Sequence, residues 1–152
     1  MTTTHLNSLT AKLIQLITEK SVRHGEFTLS SGRKSHYYID ARRTTMSSGG
    51  LALIGELGLA AIRQRGWQAR AVGGLTIGAD PVAYAVALAS QGAPPVLDAF
   101  TVRKEAKAHG TTRLIEGSFE PGMAVVIVED VLTTGGSALR AADAVRQADG
   151  TI

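Results

Sequence analysis

Two carboxylates and a run of hydroxyls stand where an apolar segment gives way to a polar loop. The segment Val125-Val126-Ile127-Val128-Glu129-Asp130-Val131-Leu132-Thr133-Thr134-Gly135-Gly136-Ser137-Ala138 opens as a continuous apolar run from Met123, ends that run in acids, and then passes through a Thr/Gly/Ser loop. Such a run spells a strand buried on both faces, and open α/β sheets bind ligands at the carboxyl ends of their strands. The loop leads into a helix, where free backbone N–H groups and the helix dipole favour an anion and glycines let the backbone come close. A phosphate therefore fits over Thr133, Thr134, Gly135, Gly136 and Ser137. Glu129 and Asp130 repel phosphate, so they either accept hydrogen bonds from sugar hydroxyls or act through a magnesium ion. No lysine follows the glycines, which excludes a Walker loop. The plain alternative, a strand-to-helix turn with two solvated acids, leaves the hydroxyl and glycine run unexplained.

A second segment, Arg103-Lys104-Glu105-Ala106-Lys107-Ala108-His109-Gly110-Thr111-Thr112-Arg113, crowds cations around a single acid and has no apolar face to bury. It reads either as a solvated basic helix or hairpin arm, or as a lid whose cations meet a pyrophosphate. A third, Gly73-Gly74-Leu75-Thr76-Ile77-Gly78-Ala79-Asp80-Pro81, is glycine-rich between a strand and a helix start. A fourth, Phe27-Thr28-Leu29-Ser30-Ser31-Gly32-Arg33-Lys34-Ser35-His36-Tyr37-Tyr38-Ile39-Asp40, followed by Arg42 and Arg43, reads as two strands around a polar turn, a hairpin-like hood. His5 and His24 have no partner at metal-ligand spacing and stay structural, and Trp67 packs at a helix end.

The elements that must position these segments follow from periodicity. A first helix is expected over residues 8 to about 22, capped by Ser8, with Leu9, Leu13, Leu16, Ile17 and Lys20 near one face. A second spans about 50 to 64 and ends at Gly66. A strand over 71–75 leads to a helix over 81–90, with Asp80 as its cap and Pro81 at its first position. Strands over 96–102 and 123–129 and a helix over 137–147 complete the pattern. Alternating strands and helices imply an α/β fold with a parallel sheet and right-handed crossovers.

The 152 residues, 44% hydrophobic, suffice for one α/β domain with a core. The absence of cysteine excludes disulfides, thiolate metal sites and thiol catalysis. No apolar run approaches a membrane span and the N-terminus lacks a targeting pattern, so a cytoplasmic location is expected. The net charge of +3 suits an anionic ligand and falls short of a nucleic-acid-binding stripe.

Residues 125–138 resemble the phosphoribosyl pyrophosphate motif of type I phosphoribosyltransferases almost residue for residue. With the hood, the 73–81 loop and the basic segment in the same order, the chain from Ser8 to Ile152 is similar to orotate phosphoribosyltransferases. The resemblance implies the type I phosphoribosyltransferase fold, a central parallel sheet flanked by helices with a small N-terminal hood. It implies one such domain over 1–152, with the helix and hood in about 1–45 and the core in about 46–152. It also implies transfer of the phosphoribosyl group of phosphoribosyl pyrophosphate to orotate, with Mg2+ carried by the donor and no metal held directly by the protein.

In that family pattern Lys107 is the catalytic lysine, with Arg103, Lys104 and His109 as anion partners. Glu129 and Asp130 hold the ribose hydroxyls and stabilise positive charge on the sugar, and residues 133–137 hold the 5′-phosphate. Tyr37, Tyr38 and Ile39 face the orotate ring, and a homodimer shares its lid between subunits. The pattern also implies a strained backbone in the 73–81 loop. Two family lysines have no counterpart, since Ser30 and the neighbourhood of Ile77 carry none. Relatives continue beyond the 149–152 segment, where another strand would begin, to an Asp-Arg pair whose arginine binds orotate. Purine or uracil phosphoribosyltransferases would share the donor motif without the hood or the basic segment. A regulatory protein retaining the donor pocket would add a recognition helix or separate basic surface, and an inactive shortened chain is a third possibility.

Overall fold

The computed structural model describes residues 2–28, 32–105 and 113–152. The first helix, α1 (Thr3–Lys20), starts five residues earlier than the spacing predicts, because the Thr2 hydroxyl accepts a bond from the His5 N–H and caps it. Of its expected apolar face only Leu9 is buried, while Leu13, Leu16 and Ile17 are half-buried and Lys20 is exposed. Two antiparallel strands follow, β1 (Val22–Thr28) and β2 (Lys34–Ile39), pairing Val22 with Ile39 and Thr28 with Lys34. They form the hood as a sheet of their own. A short helix, α2 (Arg42–Thr45), precedes α3 (Ser48–Gln64), which is capped by Ser47. Gly66, at φ +66, ends α3 as expected: its N–H bonds the Arg63 carbonyl and that of Trp67 bonds the Ile62 carbonyl.

The central sheet comprises β3 (Ala71–Leu75), β4 (Asp98–Val102), β5 (Ile115–Gly117) and β6 (Val125–Ile127), in the order β5-β4-β3-β6. The pairings of β3 with β4 and with β6 are parallel, as predicted. The edge strand β5 corrects the expectation of a wholly parallel sheet, since it runs antiparallel to β4. The Arg103 N–H bonds the Leu114 carbonyl at 2.8 Å, so the chain re-enters directly beside the end of β4 and pairs back along it. The helix α4 (Ala79–Ser90) connects β3 to β4, and α5 (Gly136–Gln147) follows β6.

Period-two alternation makes both faces of this sheet apolar. Ala71, Leu75, Phe100, Val102 and Val125 pack with Ala141, Ala144 and Val145 of α5. Val72 and Val126 point the other way, onto Leu59 and Ile62 of α3 and Ala83 and Val86 of α4. Gly73 makes room for Phe100: a Cβ there would lie 2.3 Å from the Phe100 carbonyl oxygen and 2.7 Å from its ring. At the other edge Ala124, just before β6, forms an isolated parallel bridge with Thr151, the Val125 N–H bonding the Thr151 carbonyl and the Thr151 N–H bonding the Met123 carbonyl, each at 2.8 Å. Among the described residues no helix is long and apolar enough to cross a membrane.

Candidate active site

The end of β6 and the start of α5 enclose a cleft of about 410 Å³, lined by Glu129, residues 131–138 and Arg140. The apolar strand delivers the acids because Val125 and Val126 are locked in the core, so the chain leaves the sheet just as its polarity changes. Gly135 adopts the left-handed conformation at φ +79 and caps α5 without a side chain. The first helical bond runs from the Leu139 N–H to the Gly135 carbonyl. The N–H groups of Gly136, Ser137 and Ala138 therefore have no helical acceptor, and no acid stands in the first turn to take them. An anion seated here would meet these donors, the exposed Thr133 and Thr134, and the positive end of the dipole. The structure thus brings Glu129, Thr133, Thr134, Gly135, Gly136 and Ser137 to one cavity.

The two acids differ in surroundings. Glu129 is half-buried, and its carboxyl is held above the usual 4.5 by burial first, then by a hydrogen bond with Asp130 and by the charge of Asp130. Asp130 is fixed by the Val131 N–H, 3.0 Å from its Oδ1. The third segment presses on it from the other side. A Cβ at Gly78 would sit 2.4 Å from Asp130 Oδ1, and one at Gly74 would sit 2.2 Å from the Val128 carbonyl oxygen. Both glycines permit the 73–78 loop to lie against the end of β6.

That loop is also tied to β4. Asp80 is not the cap of α4, as its position predicts; Gly78 is, and the helix begins at Ala79. The Asp80 carboxylate instead accepts bonds from the Thr76 hydroxyl, at 2.8 Å, and from the Thr101 hydroxyl. Pro81 falls within the first turn, where its missing N–H costs no helical bond. The Thr76–Ile77 peptide is cis.

Arg103 and Lys104 line a neighbouring cleft of about 280 Å³ with Arg140 and Asp143, not the donor-loop cleft itself. Arg103 pairs with Glu116 of β5, its Nη1 3.6 Å from Oε1. Lys107 and His109 lie outside the described residues. Tyr37 and Tyr38 are exposed on β2, the Tyr38 ring resting 5.6 Å from that of Phe27, and neither lines the donor-loop cleft. His5 pairs with Glu56 of α3 at 3.6 Å, and Arg65 stacks 5.3 Å over the exposed Trp67 ring just past the end of α3. Sequence reasoning missed Arg140 and Gly78. The first had a signal, since it follows Gly136 by four residues and Ser137 by three and so shares their helical face; the second is set by a tertiary contact.

No protein-family model matches the chain. It is 50% identical over 144 residues to the orotate phosphoribosyltransferase of Mycobacterium bovis, spanning 93% of this chain and 76% of that one. The crystal structure of the Mycobacterium tuberculosis orotate phosphoribosyltransferase in complex with Fe(III) dicitrate is similar with a TM-score of 0.82 and 48% identity, over 94% of this chain and 79% of that chain. The structure of the same enzyme with 5-phospho-alpha-D-ribosyl 1-diphosphate gives a TM-score of 0.73 and 38% identity, over 95% and 71%.

Proposed function

The chain belongs to the orotate phosphoribosyltransferases, and from that membership we propose how its own residues divide the work of moving a phosphoribosyl group onto orotate. The donor's C1–oxygen bond breaks with its electron pair leaving on pyrophosphate, and a bond from an orotate ring nitrogen to C1 replaces it, the proton of that nitrogen passing to the departing pyrophosphate or to solvent. Negative charge gathers on the pyrophosphate and positive charge on the ribose, so cations and carboxylates belong on opposite sides. The donor-loop cleft, with Glu129 in its wall and Asp130 beside it, carries this reading.

Residues 133–137 hold the 5′-phosphate through the α5 N–H groups and hydroxyls. Asp130, fixed by Val131, and Glu129 receive the ribose hydroxyls and offset the developing positive charge. Magnesium arrives on the donor and would be held by the donor's own oxygens rather than by direct protein ligands, leaving Glu129 and Asp130 to the ribose hydroxyls. Lys107 neutralises or protonates the leaving pyrophosphate, assisted by Arg103, Lys104 and His109, and Tyr37 and Tyr38 of the hood take the orotate side.

The working unit is a cytoplasmic homodimer that shares its basic segment between subunits, over a single domain of hood and core. An apolar groove between α3 and α4, with Tyr84 and Leu88 51% and 77% exposed, supports a second copy packing there. Magnesium-dependent consumption of orotate with phosphoribosyl pyrophosphate, beside parallel reactions with uracil and hypoxanthine, tests the assignment. Orotate-selective turnover is expected; turnover of another base in preference, or of none, would overturn it.

A further inference from the structure

One cation of the donor cleft has no role in the scheme above. Arg140 lines the cleft formed by the 131–138 segment and also the adjoining one that contains Arg103 and Lys104. It stands one helical turn below Gly136 and Ser137, on their face of α5. Helical side chains lean toward the helix N-terminus, which carries the guanidinium toward the 133–137 loop. The acid that could restrain it, Asp143 at the next turn, is taken by Arg146 at 3.2 Å. Among the described residues Arg140 itself makes no ion pair and no side-chain hydrogen bond.

This placement is unfavourable until an anion binds. A cation near the start of a helix opposes the dipole, and the first turn of α5 offers no acid to offset it. A phosphate on the loop would satisfy the helix end and the guanidinium together, and arginine is suited to phosphate because its planar fork donates two parallel bonds. We propose that Arg140 is a further binding residue of this chain, contacting the donor's 5′-phosphate from the α5 side and joining the phosphate site to the Arg103 and Lys104 cleft. The proposal rests on the reading that residues 133–137 take that phosphate.

The test compares Arg140→Gln, Arg140→Lys and Thr134→Val with the parent chain, using inorganic phosphate as a binding probe and phosphoribosyl pyrophosphate as substrate. Arg140 is exposed, so the variants are expected to fold, with the ligand-free Arg140→Gln at or slightly above the parent's thermal midpoint. Arg140→Gln should weaken phosphate binding and raise the donor KM by about tenfold, as loss of one charge-assisted bond does, with kcat within about twofold. Its phosphate affinity should also depend less steeply on salt, and Arg140→Lys should recover part of the loss. Unchanged phosphate affinity and KM in Arg140→Gln, with both worsened in Thr134→Val, would overturn the role of Arg140 and leave the loop reading intact. Unchanged values in both variants would overturn the two together.

Discussion

Gly78→Ala adds one methyl at the point where the 73–78 loop meets Asp130. The backbone tolerates alanine, since Gly78 has φ −68 and ψ −44, ordinary helical values. The added Cβ would stand 2.4 Å from Asp130 Oδ1 and 2.8 Å from its Cγ, and an ordinary contact begins at 3.4 Å, so the carboxylate must retreat by about 1 Å. That retreat stretches its bond to the Val131 N–H, now 3.0 Å, at a cost of about 1–2 kcal/mol. Alanine's lower conformational entropy in the unfolded chain returns up to about 1 kcal/mol at these compatible dihedrals. The net change in stability should stay near 1 kcal/mol, about 2–4 °C in thermal midpoint at this chain length. Catalysis is far less tolerant, because a misplacement of about 1 Å can cost about 100-fold. Steady-state kinetics beside thermal unfolding should therefore show kcat/KM down about 10–100-fold in a protein that still melts cooperatively. Turnover within about twofold of the parent would refute the role given to Asp130's position.

Gly66→Ala is the converse case: nothing lies within 4 Å of its Cβ, but φ is +66, so urea titration should show a loss of about 1 kcal/mol with kcat unchanged. Gly73→Ala drives a methyl into the Phe100 backbone and ring, and the same titration should show a loss of about 3 kcal/mol. Because Glu129 is held above its usual 4.5 by burial and by Asp130, the folded protein retains that proton to higher pH than the unfolded chain. Its ionisation thus costs stability as pH rises from 4.5 through the raised value, a cost absent below 4.5. Glu129→Gln should flatten stability across that window and raise it at neutral pH while turnover falls; lower stability at neutral pH in unfolding titrations would contradict this. Lys107→Ala should lower turnover by roughly 10²–10⁴, and single-turnover assays showing an unchanged rate would remove Lys107 from the chemistry.

What could be read from the sequence was what neighbouring residues announce together. The run into Glu129 and Asp130, the hydroxyl and glycine loop and the following helix are consecutive, so polarity and turn chemistry mark them without tertiary information. The α4 start was misread because Asp80 has the chemistry of a cap, yet its carboxylate is committed to Thr101, 21 residues away. The antiparallel direction of β5 was hidden for a similar reason: three residues carry too little periodicity to state which way they pair. Gly78 gains its position from packing, which no local pattern encodes, whereas Arg140 could have been found from its spacing to Gly136 and Ser137 on one helical face. Arg103 was legible as a cation, but not its pairing with Glu116 across the strand turn.

The return of the chain from β4 to β5 bears on how the protein tolerates a change of length there. The Arg103 N–H bonds the Leu114 carbonyl at 2.8 Å, so the basic segment enters and leaves the fold through a closed gate of paired backbone. Once the two ends are fixed in this way, doubling the chain between them costs only about 0.6 kcal/mol of closure entropy. A change of length in the segment should thus be nearly invisible to folding, so that its consequence is felt in catalysis and not in the sheet that anchors it.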